Sequence, residues 1–412
     1  MKINVFQFHG CTKCFGETTL LKEKSQHQVT WINNPGEWKA KPSDVAVVAG
    51  YLLPEDTEAL KKIQSSAKKI IAYGSCPTTG GVFGLANQKG RAILPLRNVI
   101  PTAIEIHGCL GEIEELTESL AGDFPNHPKK LCEICNRRST CKYLDHVVRQ
   151  LDLTEVDKEA CFNDLGYMCT GYVASECKEK CINHGTPCRG CKPRVDQAGI
   201  RMLSMFGTLM GNIEVATEGS KYGSTDKLAD ADDDVTRGLP DITGNFFRFT
   251  LPVAGLPKGR QPNHKYMLED VFVGRLIEEL PLITGILGGD KAISFTLNVI
   301  EAYEKVTGIQ VSDTVRALRN ELLRLEKDLQ QALKVRDPAK YKAICWQIRK
   351  IAGNMNLSNV FYGGFKTPIE GNDNFDAYRA RPFEIQAGSY AAGTIKYTLD
   401  ATGIITEFTA EG

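Results

Sequence analysis

The sequence predicts an α/β protein that begins with a parallel sheet, continues into a cysteine-rich insert and ends in a mainly α-helical domain. Three observations carry that expectation. Short β-rich runs alternate with helical stretches over about the first 120 residues, thirteen of the fourteen cysteines fall before residue 192, and helical periodicity dominates after residue 265.

The β-rich runs are 3–8, 29–32, 44–53, 69–72 and 103–107, and 56–66 between two of them has helical spacing. Strand-helix alternation of this kind gives a parallel sheet covered by helices, a flavodoxin-like half. Cys11 and Cys14 follow the first run, Cys76 the fourth and Cys109 the fifth. Ligands of open α/β sheets bind outside the carboxyl ends of the strands, so four separated cysteines can converge there. Gly10, Gly74, Gly80, Gly81 and Gly108 stand beside them and would let the backbone approach a bulky inorganic group. One buried cysteine is commonly just a small hydrophobe. Four of them, glycine-flanked at strand ends, point to a shared cluster.

Residues 122–130 (GDFPNHPKK) read as a proline-broken linker. The insert that follows, 132–191, has too few large apolar residues to fold on a core of its own and needs a staple, for which metal or cluster ligation is the natural candidate. Cys177, Cys181, Cys188 and Cys191, with Pro193 just beyond, form a compact set ending much as ferredoxin cluster motifs do. Cys132, Cys135, Cys161 and Cys169 make the other natural four. Cys141 is left over, either as a replacement for one of these or as a free thiol. Four cysteines with CxxC spacing also make an ordinary structural zinc site. Division into three sets of four favours iron-sulfur, because a chain of clusters conducts electrons whereas three zinc staples would be redundant.

Lys plus Arg and Asp plus Glu balance at 50 each, which leaves no overall field to attract DNA, RNA or an anionic membrane. The first residues, MKINVFQF, lack the apolar region and cleavage site of a secretory signal. The longest apolar stretch, 45–53, is far short of a membrane span. A cytoplasmic protein is expected, where clustered thiols hold metal more often than they form disulfides.

Residues 218–238 are polar and acid-rich, as an exposed loop would be, and 252–262 has the composition of a domain boundary. The expected domains are 1–121, 122–260 and 261–412. Helical patterning covers 266–280 and 290–307, Ser312 is a candidate N-cap for 313–334, and Pro338 opens a further helix over 339–352. Arg319, Glu321, Arg324, Glu326, Lys327 and Asp328 are expected to mark the solvated face of a helical hairpin. The tail 359–388 is rich in Gly, Asn and aromatic residues. It precedes a hairpin of 393–399 and 404–409 turning at 400–403, which would pair within this chain rather than with a partner.

With these residues in view, about the first 255 resemble the small subunit of cytosolic nickel-iron hydrogenases of the methyl-viologen-reducing and deazaflavin-reducing kind. The cluster-bearing small subunit of Complex I is a more distant likeness. The matching pieces are CTKC at 11–14, GSCPTTGG at 74–81, HGCLG at 107–111, CEIC at 132–135, the run from CFNDLGYMC to CRGC at 161–191, and DITGNFFRFTLP at 241–252. The resemblance implies a proximal 4Fe-4S cluster held by Cys11, Cys14, Cys76 and Cys109. It implies two more in a ferredoxin-like insert, the medial on Cys132, Cys135, Cys161 and Cys169 and the distal on Cys177, Cys181, Cys188 and Cys191. That family follows its CxxC directly with a Glu serving proton transfer toward nickel. Here Phe15 and Gly16 precede Glu17, so the chain departs from that pattern.

Residues 281–311 are similar to the large subunit around its RxCGxC motif, with Gly288 and Lys291 at the cysteine positions. Cys345 is the only cysteine after Cys191, and nickel-iron chemistry needs four thiolates. The fused half therefore looks like a truncated large-subunit remnant without a nickel-iron site, covering the proximal cluster and the face where a large subunit would dock. An alternative has Gly288, Gly289, Asp290 and Lys291 line a new pocket. The function implied is an iron-sulfur electron-transfer subunit of a cytosolic multi-subunit oxidoreductase complex, with three 4Fe-4S clusters between partner proteins. A heterodisulfide-reductase-type flavoprotein is one partner the resemblance implies. The rivals are the small subunit of an active nickel-iron hydrogenase paired with a separate large subunit, and a non-redox zinc-stapled scaffold. Gly80-Gly81-Val82-Phe83-Gly84 lacks GxGxxG spacing, so no nucleotide fingerprint is present in the chain.

Overall fold

A computed structural model describes residues 1–21, 27–123, 129–140, 159–177, 181–184, 187–194, 241–256, 259, 267–277, 279–308, 310–352, 383–390, 393–400 and 403–411. Cys141 and the acid-rich 218–238 segment lie outside the described residues.

Strands β1 (Lys2–Gln7), β2 (Gln28–Ile32), β3 (Ser43–Ala49), β4 (Ala67–Tyr73) and β5 (Ile104–Ile106) form one parallel sheet in the order β2-β1-β3-β4-β5. This is a doubly wound order, and the one a flavodoxin-like half calls for. Register is set by side chains that alternate between two buried faces. Val5 lies opposite Val47, Val47 opposite Ile71 and Ile71 opposite Ile104. Val45 and Val47 pack on one face with Ile3, Val5 and Tyr73, while Ala46 and Val48 pack on the other with Phe6. Burial on both faces is why these strands read as nearly continuous apolar runs.

Helix α2 (Thr57–Ser66) covers one face with Leu60 and Ile63, and α4 (Ile113–Ala121) covers the other with Leu116 and Leu120. The third strand is shorter than its apolar run. The chain turns at Gly50, and Tyr51 and Leu52 make isolated bridges to His9 and Leu94.

The insert is built from short turns and single bridges, Lys130 with Ser175, Arg138 with Ala160 and Ala174 with Pro193. Its apolar cluster is small and includes Leu131, Phe162, Tyr167 and Ile182 beside Cys169 and Cys188.

After the short helix α5 (Ile242–Phe246), the expected helix over 266–280 divides into α6 (Met267–Phe272) and α7 (Glu279–Leu287). Tertiary pairing breaks it: Gly274 N–H donates to Ile405 O at 2.8 Å, Ile405 N–H to Arg275 O at 2.8 Å and Ile277 N–H to Gly403 O at 2.9 Å. A tight turn over Gly289–Lys291 precedes α8 (Ala292–Thr307). Helix α9 (Asp313–Lys334) begins where Ser312 Oγ accepts from Val315 N–H at 3.3 Å, and α10 (Pro338–Ala352) follows.

The solvated-face reading of α9 needs correction at two residues. Arg324 forms exposed pairs with Glu321 and Asp328. Arg319 and Glu326, by contrast, are buried against α8. Their one-turn spacing from buried Leu322 and Leu329 turns them toward the neighbouring helix.

The terminal hairpin β7 (Gly393–Leu399) and β8 (Ile405–Glu411) pairs within the chain and gains a third antiparallel strand, β6 (Phe383–Tyr390). One apolar cluster joins Leu20, Val82, Phe83 and Leu85 of the first half to Phe249, Ile283, Tyr303, Leu325, Tyr397 and Phe408 of the second. The rings of Phe272 and Phe408 stack at 4.3 Å. Among the described residues, no helix is long and apolar enough to cross a membrane.

Candidate cysteine sites at the carboxyl edge of the sheet

Beyond β1 the chain crosses Cys11 and enters the short helix α1 (Lys13–Glu17), which contains Cys14. Beyond β4, Gly74 opens α3 (Ser75–Thr79), which contains Cys76. Beyond β5 comes Gly108 and then Cys109. Three separate loops thus deliver four thiols to one edge. All four line a single small pocket, together with Phe83 and, from the second half, Gly285 and Ile286.

Glycine is required at two points of this cradle. At Gly74 (φ 95°) an added Cβ would sit 2.9 Å from Cys14 Sγ, and at Gly81 (φ 56°) 2.8 Å from Cys76 Sγ. Gly80 has another task, since a Cβ there would meet Pro252 Cγ at 2.4 Å. Burial pushes the thiol of Cys14 up to about 12, raises that of Cys11, and drives Cys76 and Cys109 well above their ordinary value. Neighbouring sulfurs add to the effect, Cys11 and Cys14 on Cys76, and those two with Cys76 on Cys109. Bound metal reverses this balance, because a coordinated thiol loses its proton.

The insert gathers its thiols in the same way. Cys132 is pushed up to about 12 by burial and by the sulfurs of Cys169, Cys135 and Cys161. Burial sets Cys169 at about 11 and raises Cys161. A Cβ on Gly171 would stand 3.4 Å from Cys132 Sγ and 3.7 Å from Cys169 Sγ, so both sulfurs face one point. Cys191 is driven well up by burial, then by Cys181, Cys177 and Cys109. Backbone donors reach several sulfurs, among them Arg137 N–H to Cys135 at 3.4 Å, Cys188 N–H to Cys169 at 3.2 Å and Gly190 N–H to Cys188 at 3.4 Å.

The spatial order of the three groups corrects the one the resemblance implied. Cys191 O accepts from Cys109 N–H at 3.0 Å and from Ser75 Oγ at 2.6 Å, which joins the 177–191 set directly to the set at the sheet edge. Cys188 then contacts Cys169. The 177–191 set therefore stands in the middle and the 132–169 set at the far end. Chain order misleads here because the end of the insert returns to the end of β5.

Some neighbours of these sites had no sequence signal. Tyr341 Oη donates to Glu17 Oε1 at 2.5 Å in a buried contact that also involves Cys345. Glu17 thus faces α10. Asp290 and Lys291 are exposed, and a Cβ on Gly289 would lie 3.8 Å from Thr12 Oγ1, so this stretch packs over the cysteine loop. Ser75 and Lys13 sit inside cysteine motifs, but only the cysteines there carried a readable spacing. Among the described residues, no three His, Cys, Asp or Glu side chains form a set for a single metal ion.

Fold and thiols together define a doubly wound α/β protein whose carboxyl edge is organised around grouped cysteines. Residues 10–122 match the family described as NADH ubiquinone oxidoreductase, 20 Kd subunit. A subunit of the F420-non-reducing hydrogenase of Methanothermobacter thermautotrophicus is 27% identical over 318 residues, covering 64% of this chain and 99% of that one. The corresponding F420-non-reducing hydrogenase subunit from Methanothermus fervidus is 30% identical over 118 residues, covering 28% of this chain and 84% of that one. The F420-non-reducing hydrogenase iron-sulfur subunit of Archaeoglobus profundus is 22% identical over 275 residues, covering 52% and 80%. The chain belongs to the same family as these F420-non-reducing hydrogenase subunits, the hydrogenase small-subunit-like proteins.

Proposed function

We propose that the chain is an iron-sulfur electron-transfer subunit of a cytosolic multi-subunit oxidoreductase complex, holding three 4Fe-4S clusters and passing electrons between partner proteins. The observation that carries this is the convergence of Cys11, Cys14, Cys76 and Cys109 on one glycine-cradled pocket, joined through Cys191 to the next cysteine set. Cys177, Cys181, Cys188 and Cys191 would hold the middle cluster, and Cys132, Cys135, Cys161 and Cys169 the outer one. Bound there, such clusters supply one-electron transfer, with potentials set by hydrogen bonds to sulfur, burial and net charge. This chain's own part is to hold thiolates at fixed positions, direct backbone N–H groups at Cys135, Cys169 and Cys188, and keep water from the first pocket.

The second half is, on this proposal, a large-subunit-like remnant without nickel-iron ligands. Gly285 and Ile286 close the pocket that a separate large subunit would otherwise cover, which favours an electron carrier over an active hydrogenase small subunit. The match to the Methanothermobacter thermautotrophicus protein covers nearly all of that protein and leaves part of this chain beyond it, in keeping with an added segment. The partners proposed are other proteins of the complex, among them a heterodisulfide-reductase-type flavoprotein.

Protein purified without oxygen is expected to contain about twelve iron and as much acid-labile sulfide per chain, without nickel, and to give cluster EPR signals on reduction. Zinc in place of iron, or nickel at one per chain, would overturn the proposal. Cys188→Ala is expected to lose about a third of the iron while the sheet stays folded. Unchanged reducible iron in that variant would remove Cys188 from the ligand set.

A further inference from the structure

Among the described residues, Lys13 is the one charged residue that lines the first cysteine pocket. It occupies the third position of CTKC, is 8% exposed, and is flanked by Cys11, Cys14 and Cys109, on each of which its charge acts. Among the described residues its ammonium group has no hydrogen bond and no ion pair with a carboxylate. The carboxylate on which its charge acts is Glu326, which is shared with other donors. Glu326 on α9 accepts from Ile293 N–H and from Ser294, and Glu17 accepts from Tyr341 Oη. Lys192, a buried lysine of the neighbouring loop, makes the contrast: it is paired with both Glu112 and Glu115.

A largely buried cation with no hydrogen bond and only a shared carboxylate nearby is incompletely balanced, and such groups are retained where an anion completes them. Four thiolates around an iron-sulfur core form such an anion, and adding an electron makes it more negative. A fixed positive charge beside it stabilises the reduced form more than the oxidised one.

We propose that Lys13 is the charge-compensating residue of the first pocket and sets the reduction potential of the group bound there above that of the same group without it. The proposal rests on the iron-sulfur reading of this pocket and goes beyond it, because it assigns a non-ligand residue the role of choosing where the electron rests. With Lys13 in place, the group under the Gly285–Ile286 cover becomes a preferred electron acceptor from the middle set.

The test is an EPR-monitored redox titration of the anaerobically purified full chain as parent, Lys13→Met and Lys13→Arg, each with iron and sulfide counted. Lys13→Met is expected to retain the parent's iron and sulfide and shift one signal to lower potential. The equilibrium constant for its reduction should fall about tenfold, which is about 59 mV for one electron. Lys13→Arg is expected to titrate close to the parent, because it restores charge without restoring shape. Unchanged midpoints in Lys13→Met at full iron content would overturn the role of Lys13 and leave the iron-sulfur reading standing. Equal shifts in Met and Arg variants would also overturn it, because packing rather than charge would then be responsible. Loss of iron from the Met variant alone would make Lys13 an assembly residue and count against a potential-setting role. A parent chain without iron and sulfide would bring down the iron-sulfur reading first and this inference with it.

Discussion

Gly74→Val is expected to strip the first pocket, leaving iron and sulfide at about two thirds of the parent value. Two effects act together at this residue. Gly74 has a φ of 95°, where a β-branched side chain is a severe outlier, and the strain costs about 1–3 kcal/mol. Its new Cβ would also stand 2.9 Å from Cys14 Sγ, so either the strand end or the sulfur must move. The strand end is held, since Gly74 N–H bonds to Ile106 O and Gly74 O accepts from Thr78 Oγ1. The sulfur is therefore the part that yields. Gly122→Val separates the two effects: it too has positive φ, 102°, but nothing lies within 4 Å of an added Cβ. That variant should lose stability and keep all its iron. Equal iron content in the two variants would show that the cradle around Cys14 does not determine occupancy.

The parallel sheet was legible in the sequence because strands buried on both faces leave continuous apolar runs, and Val45 to Val48 is such a run. The edge position of Cys11, Cys14, Cys76 and Cys109 followed from strand ends alone. Ser312 was legible as a cap for a local reason, its hydroxyl bonding three residues ahead. Features fixed by distant contacts were not legible. The break between α6 and α7 is imposed by strand β8, more than a hundred residues away. Arg319 and Glu326 carry the same charges as their exposed neighbours, and only the approach of α8 buries them. The order of the cysteine groups depends on Cys191 returning to Cys109 and Ser75, which no spacing encodes. Lys13 lay in plain view inside CTKC, but its place as the charged residue lining the cysteine pocket is a property of the folded chain.

Glu304→Ala is expected to cost about 3–5 kcal/mol, the penalty for leaving a buried guanidinium without its carboxylate. Arg319 Nη1 and Nη2 lie 2.8 and 2.7 Å from the two oxygens of Glu304, with side chains 4% and 7% exposed. Glu301 lies beside the same guanidinium, where burial raises its carboxyl and Arg319 pulls it back, so it offers a partial substitute and favours the lower end of the range. Glu321→Ala is the matched surface case: its partner Arg324 is exposed and solvent screens the pair, so stability should hardly change. Replacing both buried partners by apolar residues, Arg319→Met with Glu304→Leu, should recover most of the loss, since neither charge is then stranded. The measurement is the denaturant midpoint of anaerobic protein for the parent and these variants, compared by rank because bound metal compromises two-state analysis. The same variants report on the pocket. Helix α9 grips α8 at one end through Arg319 and Glu304 and at the other through Glu326 and the N–H groups of Ile293 and Ser294, and α8 follows directly on the Gly285–Ile286 cover. Loosening that grip in Glu304→Ala should speed iron release to a chelator, while Glu321→Ala should release it at the parental rate. Equal rates in both would mean that the second half does not seal the first pocket.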